Sequence, residues 1–231
     1  MGFIAMSFGS NTFLLLNHLM SVPDCRLIGI QHCPDGSFRY RGSNGQPSPA
    51  IDYYYDQKGT VIQQEMWRPM QPGDVHRHFD NARMQWPIFF HNAVMVQGGQ
   101  SRVIVGIELS LAGHASLRQT MIQPDALSPL GGLTTTHLCL KWPGYPEYKK
   151  QIEIQDSRRQ PIRMIKLVER IARFIDRWID EMQRVPVDPR RANWRVGPGG
   201  ITKDHLYVVG LVHVSAGTWQ PILQLKGHII Y

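Results

Sequence analysis

"IRMIKLVERIARFIDRWIDEM", residues Ile162 to Met182, is the stretch on which the fold turns. Ile162, Ile165, Val168, Ile171, Ile175, Trp178, Ile179 and Met182 recur every three or four residues, which places them on one stripe of an α-helix. Leu167 and Phe174 widen the stripe. Pro161 suits the start of a helix, where a missing N–H costs nothing, and Pro186 ends the pattern. Arg163, Lys166, Arg170, Arg173 and Arg177 lie mostly off the stripe. Glu169 to Arg173 and Arg177 to Glu181 have the i,i+4 spacing of helix ion pairs, each contributing only ~0.2–0.5 kcal/mol. One apolar stripe implies a sheet face for this helix to cover.

Upstream, "HLCLKWPGYPEYKKQIEIQD", residues 137 to 156, supplies two alternating stretches around Trp142-Pro143-Gly144-Tyr145. Thr136 to Lys141 and Tyr148 to Gln155 read as an antiparallel hairpin. Pro143 fixes its own φ and biases Trp142 towards extended backbone, and Gly144 permits positive φ. Trp142 and Tyr145, on either side of the bend, could clamp a flat ligand or staple the hairpin end onto the helix stripe.

The same hairpin grammar recurs towards the N-terminus. "RLIGIQH" and "FRYRG" flank Pro34 to Ser37, and "AIDYYYDQKGTVIQQEMW" folds back at Asp56 to Gly59. "IFFHNAVMVQGGQSRVIVGIELSLAG" turns at Gly98 to Ser101. Leu14 to Met20 reads as a short helix with Ser10 or Asn11 as its N-cap. Beyond the long helix, "PVDPRRANWRVGPGG" is a basic loop. "DHLYVVGLVHV" is apolar at almost every position and so belongs at the centre of a sheet with both faces covered. The expected fold is α+β: a largely antiparallel sheet built from hairpins, one long amphipathic helix on a sheet face, and a short N-terminal helix. Residues 1–231 are expected to form a single domain, with a division into 1–130 and 131–231 as the alternative.

The formal net charge of +7 is unevenly spread. Between Lys149 and Lys203 there are fourteen Lys plus Arg against seven Asp plus Glu, leaving eleven of each sign elsewhere. The whole excess sits in one segment, which implies a basic face. Three cysteines without a C-x-x-C pair argue against a disulfide framework and for a reducing compartment, cytoplasmic or nuclear. No stretch approaches the ~18 apolar residues of a membrane span.

The last hundred residues resemble a group of uncharacterised proteins of mushroom-forming fungi. The likeness rests on Trp142-Pro143-Gly144-Tyr145, Ile152, Asp156, the stripe from Ile165 to Trp178, and His213-Val214-Ser215, Gly217 and Trp219-Gln220-Pro221. It implies that Thr136 to Tyr231 is one folding unit of fungal origin. It implies no activity and no site.

Candidate chemistry is sparse. His76 and His78 share a face if extended, and with His91 they are candidate metal ligands. His213 and Ser215, with Asp204, invite a triad, but no G-x-S-x-G elbow surrounds Ser215. Gly197-Pro198-Gly199-Gly200 lacks the following helix of a phosphate loop and reads as a turn. No P-loop, H-E-x-x-H or EF-hand pattern occurs, and no motif implies a cofactor. Arg158, Arg159, Arg190, Arg191 and Arg195 supply charges for a polyanion, with Trp194 as a surface for a base to stack on. The expectation is therefore a non-catalytic binding or interaction protein that meets a nucleic acid or an acidic protein through its basic face in 149–203. Self-association is part of that expectation. A small enzyme, metal-assisted through His76, His78 and His91, is the alternative.

Overall fold

The structure, a computed structural model, describes residues 1–22, 24–41, 45–56, 58–69, 72–75, 84–95, 99–130 and 132–228. Its helices are α1 (Phe3–Phe8), α2 (Asn11–Met20), α3 (Pro72–Val75), α4 (Ala115–Thr120) and α5 (Met164–Met182). Its strands are β1 (Ile30–His32), β2 (Ser37–Tyr40), β3 (Asp52–Tyr53), β4 (Ile88–Phe89), β5 (His91–Met95), β6 (Ser101–Val105), β7 (Ile107–Glu108), β8 (Thr135–Leu140), β9 (Tyr148–Glu153), β10 (Leu206–Ser215) and β11 (Thr218–Leu225). The class is α+β, with mostly antiparallel sheets.

The main sheet runs β4-β10-β11-β8-β9, and β7 also pairs with β10. It draws strands from both sides of residue 130. β10 and β11 are buried along almost their whole length, as continuous apolar runs between two layers should be. On one face, Val208 and Leu211 of β10, Trp219 and Leu223 of β11, and Leu138 and Leu140 of β8 pack with the α5 stripe. On the other, Val209, Val212, Val214 and Ile222 meet Phe3, Ile4, Phe8 and Leu15 from α1 and α2. Register shifts between Val208 and Gly210 and between His213 and Ser215 bend β10 and reset its alternation. The first bulge is why Val208 and Leu211, three residues apart, serve the same core. At Gly210 the backbone of β4 comes so close that an added Cβ would lie 2.3 Å from the Ile88 carbonyl oxygen.

The hairpins read over residues 30–40, 91–105 and 135–153 form; residues 96–98 of the second tip lie outside the described residues. Residue 57 of the turn read at Asp56 to Gly59 lies outside the described residues, and the described arms on either side do not pair with each other. β3 pairs with β2 instead, and Val61 lies opposite Gln224 of β11. The reason is an open edge. β8 accompanies β11, in parallel, only at Thr218 and Trp219. Further along, Ile62 N–H donates to the Leu223 carbonyl at 2.9 Å, and Leu225 N–H donates to the Thr60 carbonyl at 2.8 Å. Buried glutamine amides close the seam. Gln64 donates to the Pro221 carbonyl at 2.7 Å and accepts from Lys141 N–H at 3.2 Å, and Gln220 accepts from Trp67 N–H at 2.5 Å. Each would be costly if left unpaired in this interior.

α5 begins two residues later than its periodicity suggests. Ile162 and Arg163 are drawn into extended pairing with the 127–128 segment, where Ser128 N–H donates to the Ile162 carbonyl at 2.8 Å. The N-terminal helix is preceded by a second one, α1, whose first turn donates to the buried Asp52 carboxylate. No described helix is long and apolar enough to cross a membrane. Cys25, Cys33 and Cys139 are free thiols.

Candidate functional site

The aromatic bend is structural. Trp142 is 2% exposed, lies 4.9 Å from the Trp178 ring, and donates Nε1–H to the Trp194 carbonyl at 2.9 Å. Tyr145 meets Trp178 edge-on at 5.8 Å, and its hydroxyl accepts from Val196 N–H at 3.1 Å. The pair therefore staples the β8–β9 hairpin to α5 and does not form an open clamp. Trp194 is equally buried and stands edge-on to Trp142 at 5.9 Å. Its ring belongs to the core, so the expected stacking surface for a base is absent from it. Gly144 makes the bend with φ +84°, and a Cβ there would sit 2.8 Å from both Arg191 Cβ and Val187 Cγ2.

The cations named from sequence fall into two groups rather than one. Arg158 and Arg159 occupy the exposed turn before α5, where the Asp156 carboxylate accepts from Arg158 N–H at 2.8 Å. Arg190, Arg191 and Arg195 follow its other end, and a 19-residue helix is ~28 Å long. Asp188 holds Arg190 at 2.9 Å, and Arg195 donates to the Gly199 carbonyl at 2.8 Å. Arg190 and Arg191 do share a broad depression with Trp142, Tyr145, Trp194 and Lys141. Glu65, Glu147 and Asp188 line it too, so its three cationic side chains face three carboxylates, with the Met1 amino end beside them. Its side chains carry no net charge with which to select an anion.

A second groove, of about 530 Å³, runs between β9 and α5. Tyr148 and Phe174 contribute its aromatic lining, while Lys150, Arg170, Arg173 and Arg177 oppose only Glu153 and Glu181. The two walls match in length. Eleven steps of helix, from Arg170 to Glu181, rise ~16 Å, and five steps of strand, from Tyr148 to Glu153, extend ~17 Å. Tyr148 beside Glu181, and Glu153 beside Arg170, show that the walls run antiparallel.

The expected i,i+4 ion pairs of α5 do not form, and this gives the groove its character. Glu169 pairs with Lys166 at 2.8 Å instead of Arg173. Glu181 accepts from the Tyr148 hydroxyl at 2.8 Å and lies 3.9 Å from Lys150. Burial first, and the bond to Glu181 second, push the Tyr148 hydroxyl up to about 12, so it remains a donor that holds this carboxylate. Arg170 reaches across to the Glu153 carbonyl and lies 3.5 Å from its carboxylate. Among the described residues, no carboxylate pairs with Arg173 or Arg177. The arginine positions 170, 173 and 177 follow one helix flank, a signal present in the sequence. That flank becomes a site only because β9 lies beside it.

Asp204, His213 and Ser215 do not converge. His213 stacks on Trp219 at 4.7 Å and accepts from Gln85 N–H at Nδ1, 3.0 Å away, and burial pushes it down to about 4. Asp204 sits in a short helical turn, Lys203–His205, before β10 and His213 lies near that strand's far end; the seven strand steps from Leu206 to His213 alone span ~23 Å. The Ser215 hydroxyl is buried and has no hydrogen-bond partner among the described residues. No triad exists. His91 packs edge-on to Tyr53 at 4.9 Å, and burial holds it below its ordinary value. His76 and His78 lie outside the described residues. Among those that are described, no three His, Cys, Asp or Glu side chains are placed to hold one ion.

No protein-family model matches the chain, no curated protein matches its sequence, and no solved structure matches its fold. The groove must therefore be read from its own chemistry: planar guanidinium groups without partners, on a rigid helix, beside a strand. Guanidinium is the side chain best shaped for carboxylate and phosphate.

Proposed function

We propose that this chain is a non-catalytic binding protein whose β9–α5 groove takes the acidic surface of another protein. One observation carries the reading: Arg173 and Arg177 stand unpaired in a groove of four cations and two carboxylates. Of the fourteen cations in segment 149–203, Lys150, Arg170, Arg173 and Arg177 line this groove. An acidic protein fits better than a nucleic acid, because Trp142 and Trp194 are buried and give bases no platform. Free thiols at Cys25, Cys33 and Cys139 suit a reducing compartment.

The test uses fluorescently labelled polyglutamate, with binding followed by anisotropy at about 50 and about 200 mM salt. Binding should weaken with salt and disappear in the double variant Arg173→Glu/Arg177→Glu. Undiminished binding by that variant would overturn the assignment to this groove.

A further inference from the structure

Among the described residues, β9 is the last strand of its sheet and no strand pairs with its outer side. The register settles which backbone groups point there. Thr136, Leu138 and Leu140 lie opposite Ile152, Lys150 and Tyr148, and the next pair outward is bonded, with Ile154 N–H donating to the Thr134 carbonyl at 2.8 Å. In an antiparallel ladder, bonded pairs alternate with non-bonded ones. Tyr148, Lys150 and Ile152 therefore turn their N–H and C=O groups to β8, and Lys149, Gln151 and Glu153 turn theirs outward. The Glu153 carbonyl is taken by Arg170. Among the described residues, nothing bonds to the backbone groups of Lys149 or Gln151. An unpaired row of this kind is a template for another strand.

The side chains above the row select which strand. On an extended chain, residues i and i+2 face the same way and lie ~6.8 Å apart. Arg173 and Arg177 are separated by four helical steps, or ~6 Å along the axis. We infer that the β9 edge receives an acidic segment of a partner protein as an added strand, with Arg173 and Arg177 pairing with two of its carboxylates two residues apart. The inference rests on the reading of the groove as an acidic-partner site and adds the mode of docking. A second copy of this chain is the poorer occupant. It would bring its own Lys150, Arg170, Arg173 and Arg177 against the same charges. Lys149 and Lys150 on the edge itself also work against such self-pairing.

The probe is a labelled, end-blocked octapeptide alternating Glu and Thr, titrated against the full chain by anisotropy. Two further peptides carry N-methyl groups at every second amide, one in each phase. They keep every charge, but one phase loses the N–H groups that must face β9. That phase should bind at least about tenfold more weakly, the loss of about 1.4 kcal/mol in bonding, while the other phase binds like the parent. Amide exchange at Lys149 and Gln151 should slow when the parent peptide binds. Gln151→Pro removes an outward N–H and breaks no backbone bond to β8, giving up only the exposed side-chain bond from Gln151 to the Thr135 hydroxyl at 2.6 Å, so it should weaken binding and leave thermal stability near wild type. If both methylated phases bind like the parent, the added strand is wrong and the acidic-partner groove stands. If the parent fails to bind, both fall. If light scattering shows a dimer that Gln151→Pro dissolves, the edge belongs to a second copy and the inference is overturned.

Discussion

Asp52→Asn tests how the N-terminal layer is held. Asp52 is 8% exposed beneath α1. Its carboxylate accepts from Ile4 N–H at 3.0 and 3.1 Å and from Tyr53 N–H at 2.8 Å. Burial outweighs these donors and lifts the carboxyl from 3.8 to about 7. Between those two values the unfolded chain has lost the proton and the folded chain keeps it. The stability from this group is thus full below about pH 4 and is lost as pH rises through about 7. A gap of about three decades, at ~1.4 kcal/mol each, gives ~4 kcal/mol.

His213 runs the other way. Burial lowers it from 6.5 to about 4, so its contribution is full above pH 6.5 and is lost as pH falls towards 4. That is ~3 kcal/mol over an overlapping window. In the wild type the two largely offset each other. The informative quantity is the difference in unfolding free energy between wild type and Asp52→Asn, in which the histidine cancels. Denaturant unfolding at several pH values from about 4 to about 7.5 measures it. The wild type should lose ~4 kcal/mol relative to the variant across that range. A difference that stays constant to within ~0.5 kcal/mol would show that Asp52 is ionised when folded, and would refute the account.

Two other outcomes follow from the packing. Gly144→Ala should destabilise by at least about 1–2 kcal/mol from its left-handed backbone alone, because the methyl group also meets Arg191 and Val187; at roughly 2–4 °C per kcal/mol, an unchanged melting temperature would contradict the close approach. With an aromatic disulfide reagent, native protein should show one fast thiol, Cys33, and denatured protein three. Cys25 and Cys139 are buried, and burial pushes Cys139 up to about 12, so a second fast native thiol would contradict their placement.

Local pattern carried much of the fold into view. The period of three to four from Ile162 to Met182, the alternation on either side of Trp142 to Tyr145, and the unbroken apolar run of β10 each identify an element. The same alternation misleads at Asp56 to Gly59. Val61 and Ile62 read as the second arm of a hairpin, yet they pair with β11, more than 150 residues away. The composition of a strand specifies that it will pair, not with which edge. Trp194 shows the same limit for the site. A tryptophan among arginines reads as a contact surface, but Trp194 is buried against Trp142.

By itself the sequence determined an amphipathic helix with one apolar stripe, the hairpins beside it, and a charge excess confined to residues 149–203. Those depend on side-chain periodicity and on counting, which are properties of neighbouring residues. Only the tertiary structure decided which cations count. Glu169 and Glu181 had the spacing to neutralise Arg173 and Arg177 along α5. Lys166 took the first and Tyr148 the second, and β9 settled alongside with the outward backbone groups of Lys149 and Gln151 unpaired. Helix spacing permits a contact, and the competition among partners brought together by folding settles whether it is made.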